Sequence, residues 1–217
     1  MLIVTIDGPS GAGKGTISQL LSAELNATLL DSGALYRLVA LASIKHAIAI
    51  ESVEALVELA RQLDVTFIST PKGVEVTLAG EDVTLAIRTE QVGMQASRVA
   101  AIAEVREALL QRQRDFAATG ALVADGRDMG TTVFPDADYK FFLTASAEAR
   151  AERRYKQLAE RGESVDMNAL IADIRDRDER DQSRASSPLK PADDAVRIDS
   201  TDLGIDEVLQ VILKHIN

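Results

Sequence analysis

Short apolar runs alternate with longer amphipathic stretches along the chain, and this pattern predicts the fold class. The apolar runs are Leu2–Ile6, Ala27–Leu30, Ala121–Ala124, Tyr139–Leu143 and Val196–Ile198. Each run is continuously apolar, as in parallel strands that are covered on both faces. Stretches long enough for helices separate them. The pattern therefore predicts an α/β three-layer fold with a five-stranded parallel central sheet.

The segment from about 64 to 84 follows another pattern. Val65–Thr70 and Val74–Leu78 flank a Pro71-Lys72-Gly73 turn, and Asp82–Thr84 could add a third strand. Such a sequence predicts an antiparallel hairpin. A hairpin within a strand–helix–strand chain indicates a small inserted subdomain.

Three regions have helical patterns. They are Glu90–Phe116 with a break near Ile102, Ala147–Arg184 with an interruption at 161–163, and Asp202–Ile216 with Thr201 or Asp202 as its cap. Residues 1–217 are thus expected to form a single domain that carries a small β insert.

Composition narrows the function classes. The net charge of −10 argues against a nucleic-acid-binding surface, which needs a basic footprint. The chain has no cysteine and only two histidines, so disulfides are impossible and a zinc centre is not expected. No run approaches the roughly 18 apolar residues of a membrane span. These features predict a cytoplasmic protein, and its acidic surface favours a monomer.

A glycine-rich loop follows the first apolar run and precedes a predicted helix. It reads Gly8-Pro9-Ser10-Gly11-Ala12-Gly13-Lys14-Gly15-Thr16. This is the G-x-x-x-x-G-K phosphate-binding motif in its required context. Backbone N–H groups and the helix N-terminus would surround a polyphosphate, and Lys14 would reach the β- and γ-phosphates. The loop predicts ATP binding in a P-loop fold.

The residue after Lys14 is glycine, and the hydroxyl arrives one position later at Thr16. This Gly-Lys-Gly-Thr form resembles nucleoside-monophosphate kinases of the adenylate kinase type. Direct ligation of Mg²⁺ by Thr16 is therefore not expected. Thr16 and Asp125 are candidates for indirect magnesium partners, although Asp125 could equally be a capping or ion-pairing carboxylate. No Asn-Lys-x-Asp guanine motif is present, which argues against a GTPase.

Further segments resemble the bacterial cytidylate kinase family. They are Leu30–Arg37, Ile87–Thr89, Ala124–Thr131, Val133–Ala137, Arg177–Asp181, Ser183-Arg184 and Pro188-Leu189. The resemblance runs from the phosphate loop to the last strand and includes the hairpin insert. It implies a kinase that moves the γ-phosphoryl group of ATP, with Mg²⁺, to CMP or dCMP. It also implies a monophosphate-binding insert at about 33–105 and a short helical lid at about 148–164.

Two anionic substrates must be held with their reacting ends close together, which calls for guanidinium groups. The candidates are Arg37, Arg88, Arg127, Arg177 and Arg184. The resemblance assigns all of them except Arg88 mainly to the acceptor phosphate. Arg88 could instead be an exposed charge after the insert. Lys14, Arg127, Arg177 and Arg184 are the predicted catalytic residues.

The acceptor nucleoside has its own candidates. Arg177, Asp181 and Arg184 continue an apolar stripe at helical spacing, which predicts that they face a site rather than solvent. The resemblance gives Asp181, with Ser32, to a ribose hydroxyl. It gives the base to Asp128, Arg106 and Ser97. A carboxylate that accepts from the cytosine N4 amino group disfavours uracil. Asp128 could instead pair with Arg127, and Ser97 could be an ordinary helix residue.

The lid should place cations over ATP. Arg150 can share a helix face with either Arg153 or Arg154, and Arg150 with Arg153 is the predicted pair. Phosphoryl transfer to a phosphate oxygen needs no strong base, so alignment and cations should suffice. The alternatives are a same-fold kinase for UMP, AMP or a metabolite such as shikimate, or an ATP-binding regulatory protein. The second arginine set argues against regulation alone, and the hairpin argues against the shikimate type.

Overall fold

The computed structural model describes residues 1–70, 73–160, 162 and 165–216. Its strands in chain order are β1 (Ile3–Asp7), β2 (Thr28–Asp31), β3 (Val65–Thr70), β4 (Gly73–Leu78), β5 (Glu81–Asp82), β6 (Leu122–Gly126), β7 (Tyr139–Thr144) and β8 (Val196–Asp199). Its helices are α1 (Lys14–Glu24), α2 (Ser32–Lys45), α3 (Val53–Arg61), α4 (Glu90–Val99), α5 (Ala103–Asp115), α6 (Ala147–Glu160), α7 (Met167–Gln182) and α8 (Ile205–Ile216).

The chain forms two compact units. The first comprises Met1–Asp31 and Gln113–Asn217, and the second comprises Ser32–Arg112. This division does not test what residues 33–105 bind, so their role in binding the monophosphate stays a prediction.

A parallel sheet organises the first unit. Its strand order is β2-β6-β1-β7-β8, and every neighbouring pair is parallel. The central strands β1 and β6 are buried on both faces, which explains their continuously apolar sequences. Their side chains pack with apolar residues of α1 and α8, among them Ile17, Leu21 and Val208. The predicted five-stranded α/β fold is confirmed.

The second unit contains the antiparallel sheet β3-β4-β5. Val65 pairs with Leu78, and Leu78 pairs with Glu81, so the predicted hairpin and third strand are present. Positions 71 and 72 of the predicted turn lie outside the described residues. Helices α4 and α5 are separate, as the predicted break near Ile102 requires.

Two predictions about helix ends have different outcomes. Helix α8 begins at Ile205, later than predicted, so neither of the predicted caps, Thr201 or Asp202, directly precedes it. The Thr201 hydroxyl donates to Asp199 at 2.6 Å. The carboxylate of Glu207 instead accepts the N–H of Gly204 at 2.7 Å. Positions 161 and 163 of the predicted interruption lie outside the described residues. So does position 164, at which the predicted lid ends. In the part of the chain that is described, none of the helices is apolar and long enough to cross a membrane.

Candidate active site

The phosphate loop connects the end of β1 to the start of α1. Gly13 has φ 94° and occupies the N-cap position, so α1 begins at Lys14. Gly8 has φ 148°, and a Cβ atom there would lie 2.0 Å from the carbonyl oxygen of Leu143 on β7. Because no side chain fits, the loop can leave the sheet edge only through glycine. Strand, loop and helix therefore have the geometry that the sequence predicts.

Lys14 is the cation of this loop and is almost completely buried. Its Nζ donates to the Pro9 carbonyl oxygen at 3.0 Å and lies 3.7 Å from Oδ1 of Asp125. Burial and the charge of Arg127 lower the pKa of Lys14 to about 8, although Asp125 and Asp7 favour its charged form. We call Lys14, Asp125 and Asp7 the lysine cluster. A polyphosphate beside Lys14 would add negative charge, which favours the charged ammonium form of this lysine.

Two of the carboxylates that favour the charged form of Lys14 come from neighbouring strands. Asp31 ends β2, and it pairs in register with Asp125 of β6. Burial raises the pKa of Asp125 to about 6, and Lys14 opposes that rise. A Cβ atom at Gly15 would lie 3.6 Å from Oδ2 of Asp125, so this carboxylate is next to the phosphate loop. Thr16 is exposed at the start of α1.

These donors fit a magnesium ion bound with ATP. Mg²⁺ keeps several waters and usually takes only one or two carboxylates besides substrate phosphates. Asp125 and Asp31 supply such carboxylates beside the phosphate loop. No group of three or more metal-ligating side chains occurs among the residues that the structure describes.

A second charged group joins β6 to α7. Oδ2 of Asp181 accepts from Nε of Arg127 at 3.1 Å, and Oδ1 accepts from Nη2 of Arg184. Burial alone would raise the pKa of Asp181, but the arginines Arg127, Arg184 and Arg177 outweigh it, and the pKa is lowered. We call Arg127, Asp181 and Arg184 the arginine cluster. Three predicted acceptor residues thus meet in one place, and Arg177 contributes its charge.

The predicted lid arginines contact the protein near the phosphate loop. Arg150 is buried, and it donates to the Ser10 carbonyl oxygen at 3.0 Å and to both oxygens of Asp178. Arg153 donates to the Ser200 carbonyl oxygen at 2.5 Å, and the hydroxyl of Ser200 donates to the Ala12 carbonyl oxygen. Both side chains are therefore linked to backbone carbonyls of the loop. Their predicted contact with ATP stays a prediction.

Asp128 begins a π-helical turn, Met129–Val133, and is itself buried. Its side chain makes no capping bond to this turn. The N–H groups of Met129 and Gly130 instead donate to Oδ1 and Oδ2 of Asp7, each at 2.8 Å. Arg127, the alternative partner predicted for Asp128, bonds to Asp181 and to the Gly126 carbonyl oxygen.

The second unit holds the remaining predicted residues. Arg106 is buried, donates to the Ala100 carbonyl oxygen at 3.1 Å and has its guanidinium carbon 5.2 Å from the ring centre of Tyr36. Arg37 donates to the Ile87 carbonyl oxygen at 2.7 Å. Ser32 and Ser97 are buried, and Arg88 is exposed.

Sequence reasoning passed over three residues that the structure adds. Asp7 holds the turn after Asp128, Asp178 holds Arg150, and Tyr36 lies against Arg106. One signal could have pointed to Asp7. A carboxylate that ends a buried strand is costly unless donors surround it. Asp178 and Tyr36 have no such signal, because their partners, Arg150 and Arg106, are distant from them in the chain.

A parallel sheet, a glycine-rich loop between β1 and α1, and a buried lysine at the start of that helix together define a P-loop nucleotide-binding protein. The sequence model of the family described as cytidylate kinase matches residues 4–217. The chain belongs to the cytidylate kinase family and is an enzyme of that family, as its motifs predict.

Relatives match over nearly the whole chain. The cytidylate kinase of Shewanella denitrificans is 57% identical over 216 residues, which are 99% of this chain and 95% of its own length. That of Vibrio cholerae serotype O1 is 56% identical over 214 residues, which are 99% of this chain and 95% of its own length. A solved shikimate kinase from Bacteroides thetaiotaomicron aligns with 99% of this chain and 98% of its own, at 13% identity and a TM-score of 0.47. That similarity is too low to support a conclusion.

Proposed function

We propose that this enzyme transfers the γ-phosphoryl group of ATP to CMP and dCMP, giving ADP and CDP or dCDP. The observation that carries the proposal is that the lysine cluster and the arginine cluster both lie in the first unit. The lysine cluster adjoins a phosphate loop, and the arginine cluster is built from residues that the family resemblance assigns to the acceptor. The nearly full-length match to cytidylate kinases supports the choice of acceptor.

The proposed mechanism relies on charge and alignment. Lys14 binds the β- and γ-phosphates of ATP within the glycine-rich loop. Arg127, Arg177 and Arg184 bind the acceptor phosphate and stabilise negative charge as the phosphoryl group moves. The acceptor oxygen is already anionic, so no side chain has to remove a proton from it. Asp125 and Asp31 are the carboxylates that would hold Mg²⁺, which would neutralise phosphate charge when bound with ATP.

The nucleoside roles follow the family resemblance. Asp181 and Ser32 would bind the ribose, and Asp128 would accept from the N4 amino group of cytosine. Arg106 would donate to N3 or O2, with Ser97 as a further polar contact. Arg37 and Arg88 would add to the acceptor phosphate site. Both Asp128 and Arg106 are buried, which is where a hydrogen bond discriminates best because an unmatched partner is costly.

The lid, the oligomeric state and the cellular location complete the proposed function. Arg150 and Arg153 would close over ATP as part of a lid at about 148–164, which would exclude water from the reaction. The enzyme is proposed to work as a monomer in the cytoplasm, where ATP and CMP are available.

The test is ADP release from ATP and Mg²⁺ with CMP, dCMP, UMP, AMP and GMP offered singly. We expect fast turnover with CMP and dCMP only. In Asp128→Ala, discrimination against UMP should fall about tenfold to a hundredfold, because one base contact contributes about 1–3 kcal/mol. Asp136→Ala, which removes an exposed carboxylate nearby in sequence, should leave discrimination unchanged.

Other outcomes would change the proposal. Turnover with a different monophosphate would keep the kinase and reject the cytosine site. Tight ATP binding without turnover on any acceptor would favour a regulatory protein. Unchanged discrimination in Asp128→Ala would reject Asp128 as the residue that reads the base.

A further inference from the structure

Asp7 lies at the centre of the first unit, and the mechanism above does not use it. It is the last residue of β1, in register with Gly126 of β6 and Phe142 of β7. Its side chain is 4% exposed. A carboxylate in such a place needs donors, and the structure provides two backbone N–H groups at 2.8 Å. The carboxylate therefore ties the strand before the phosphate loop to another segment of the chain.

That segment is the π-helical turn Met129–Val133. The first N–H groups of a helical turn lack partners within it, and an aspartate at the N-cap ordinarily accepts them. Asp128 occupies the N-cap here but makes no such bond. Asp7 accepts both N–H groups in its place. Arg114 binds the other end of the turn, through the carbonyl oxygens of Val133 and Thr132.

We infer that Asp7 is a positioning residue for base recognition: it caps the turn in place of Asp128, so that capping does not draw the Asp128 carboxylate away from the position in which it would meet the base. This inference rests on the proposed function, in which Asp128 binds cytosine. Without Asp7, two N–H groups are left without their carboxylate, and Asp128 is the N-cap residue whose side chain would ordinarily accept from such a turn. Turning toward them would take Asp128 out of position for the base.

Charges around Asp7 agree with this arrangement. Burial raises the pKa of Asp7 to about 7, and the bonds from Gly130 and Met129 act against that rise. The other charged groups that act on it are Asp128, which raises its pKa, and Lys14, which lowers it. Asp7 and Asp128 are thus close enough to interact, as the exchange of capping roles requires.

The test compares Asp7→Asn with Asp138→Asn. Asp138 also accepts a backbone N–H of β1, that of Ile3 at 2.7 Å, but at the opposite end of the strand. With saturating ATP, kcat and KM are measured for CMP and for UMP. We expect the CMP-to-UMP ratio of kcat/KM to fall about tenfold in Asp7→Asn, chiefly through KM for CMP. That is less than the 10²-fold that a 1 Å displacement can cost. Asp138→Asn should stay within about twofold of the wild type.

A merely structural role gives a different result. Partial unfolding lowers the active fraction, so kcat falls equally for both substrates and the ratio stays constant. An unchanged ratio in Asp7→Asn would therefore overturn the inference. Asp128→Asn, assayed in parallel, tests the proposed function separately. If it changes the ratio and Asp7→Asn does not, only the inference is wrong, and if neither changes it, the base-reading proposal fails too.

The double variant Asp7→Asn, Asp128→Asn sharpens the test. If Asp7 acts through Asp128, its effect on the ratio should disappear once Asp128 has lost its charge. Additive effects would overturn the inference. If Asp7→Asn does not fold, amide hydrogen exchange on the wild type decides. Met129 and Gly130 should exchange at least about a hundredfold more slowly than exposed Asp136, and equal rates would overturn the inference.

Discussion

The lysine cluster and the arginine cluster lie in the same unit and are both buried, but their pKa shifts differ in direction. The shifts disfavour charge in the lysine cluster and favour it in the arginine cluster. In the lysine cluster burial dominates, so the pKa of Asp7 rises to about 7 and that of Lys14 falls to about 8. In the arginine cluster burial also disfavours charge, but the guanidinium groups around Asp181 outweigh it and lower its pKa. Guanidinium groups stay charged at any physiological pH, whereas an ammonium group can lose its proton.

The difference suggests a division of labour between the clusters. The arginine cluster neutralises its own carboxylate and keeps two guanidinium groups in fixed positions. In the lysine cluster, burial disfavours the charged form of Lys14 and of both carboxyl groups, and a bound polyphosphate would stabilise the charged form of Lys14. The first arrangement favours orientation of a substrate, and the second favours tight binding of charge.

The largest expected effect follows from removing the cation of the lysine cluster. In Lys14→Met, kcat should fall by about 10³-fold or more, because no other ammonium group lies in the phosphate loop. KM for CMP should stay within about threefold. Steady-state assays with ATP and CMP measure both.

Lys140→Met is the matched control for this change. Lys140 is also a largely buried lysine, but its Nζ binds Asp194 and the Pro135 carbonyl oxygen. Its removal should leave kcat within about threefold. A loss of less than tenfold in Lys14→Met would mean that the two clusters do not divide the work as described.

The sequence predicts the two clusters unequally well. The lysine cluster starts from a contiguous motif, so Gly8 through Thr16 and their secondary structure could be inferred directly. Asp181 and Arg184 are three residues apart, and their proximity also follows from local spacing. Arg127 is 54 positions from Asp181, and only the family resemblance assigned both to the acceptor nucleotide.

Bonds between distant segments are where prediction fails. Asp7 and Met129 are 122 positions apart, and nothing near either residue indicates that they meet. The helical spacing of Arg150 did not indicate its bonds to Asp178 and to the Ser10 carbonyl oxygen. Such contacts depend on how the strands are ordered in the sheet, and a pattern of apolar runs does not contain that order.

A second prediction uses the opposite pKa shifts directly. Because the pKa of Asp7 is raised in the folded state, its contribution to stability is complete below the unfolded value of 3.8 and is lost as the pH rises through about 7. Because the pKa of Asp181 is lowered, its contribution is complete above 3.8 and is lost as the pH falls through the folded value. The two carboxyl groups should therefore give pH dependences of opposite sign.

Urea unfolding from pH 3.5 to 8 tests this contrast. Between pH 4 and 7, the wild type should lose at least about 1 kcal/mol relative to Asp7→Asn, since one pKa unit corresponds to about 1.4 kcal/mol. Below about pH 5, the wild type should instead lose stability relative to Asp181→Asn as the pH falls. Slopes of the same sign for the two variants would contradict the contrast between the clusters.

The smallest expected effect concerns Arg37 of the second unit. Its guanidinium group donates to the Ile87 carbonyl oxygen. Its guanidinium group lies against Gly93 of α4, where a Cβ atom would be 3.3 Å from both terminal nitrogens. In Gly93→Ala the group must shift by a few tenths of an ångström. KM for CMP should rise about twofold to fivefold, well below the 10²-fold that a 1 Å displacement can cost.

A double-mutant cycle with Arg37→Lys identifies the cause of that rise. Alanine stabilises a helix by about 1 kcal/mol relative to glycine, so Gly93→Ala should not unfold α4. If the added methyl group acts by pushing the guanidinium aside, the effect should vanish in the Arg37→Lys background, because an ammonium group has no second terminal nitrogen to meet it. An effect that persists would place its origin in α4 itself. One methyl group against the Arg37 guanidinium changes only a van der Waals distance, whereas Lys14→Met removes a charge from the phosphate loop, which is why this effect should be the smallest.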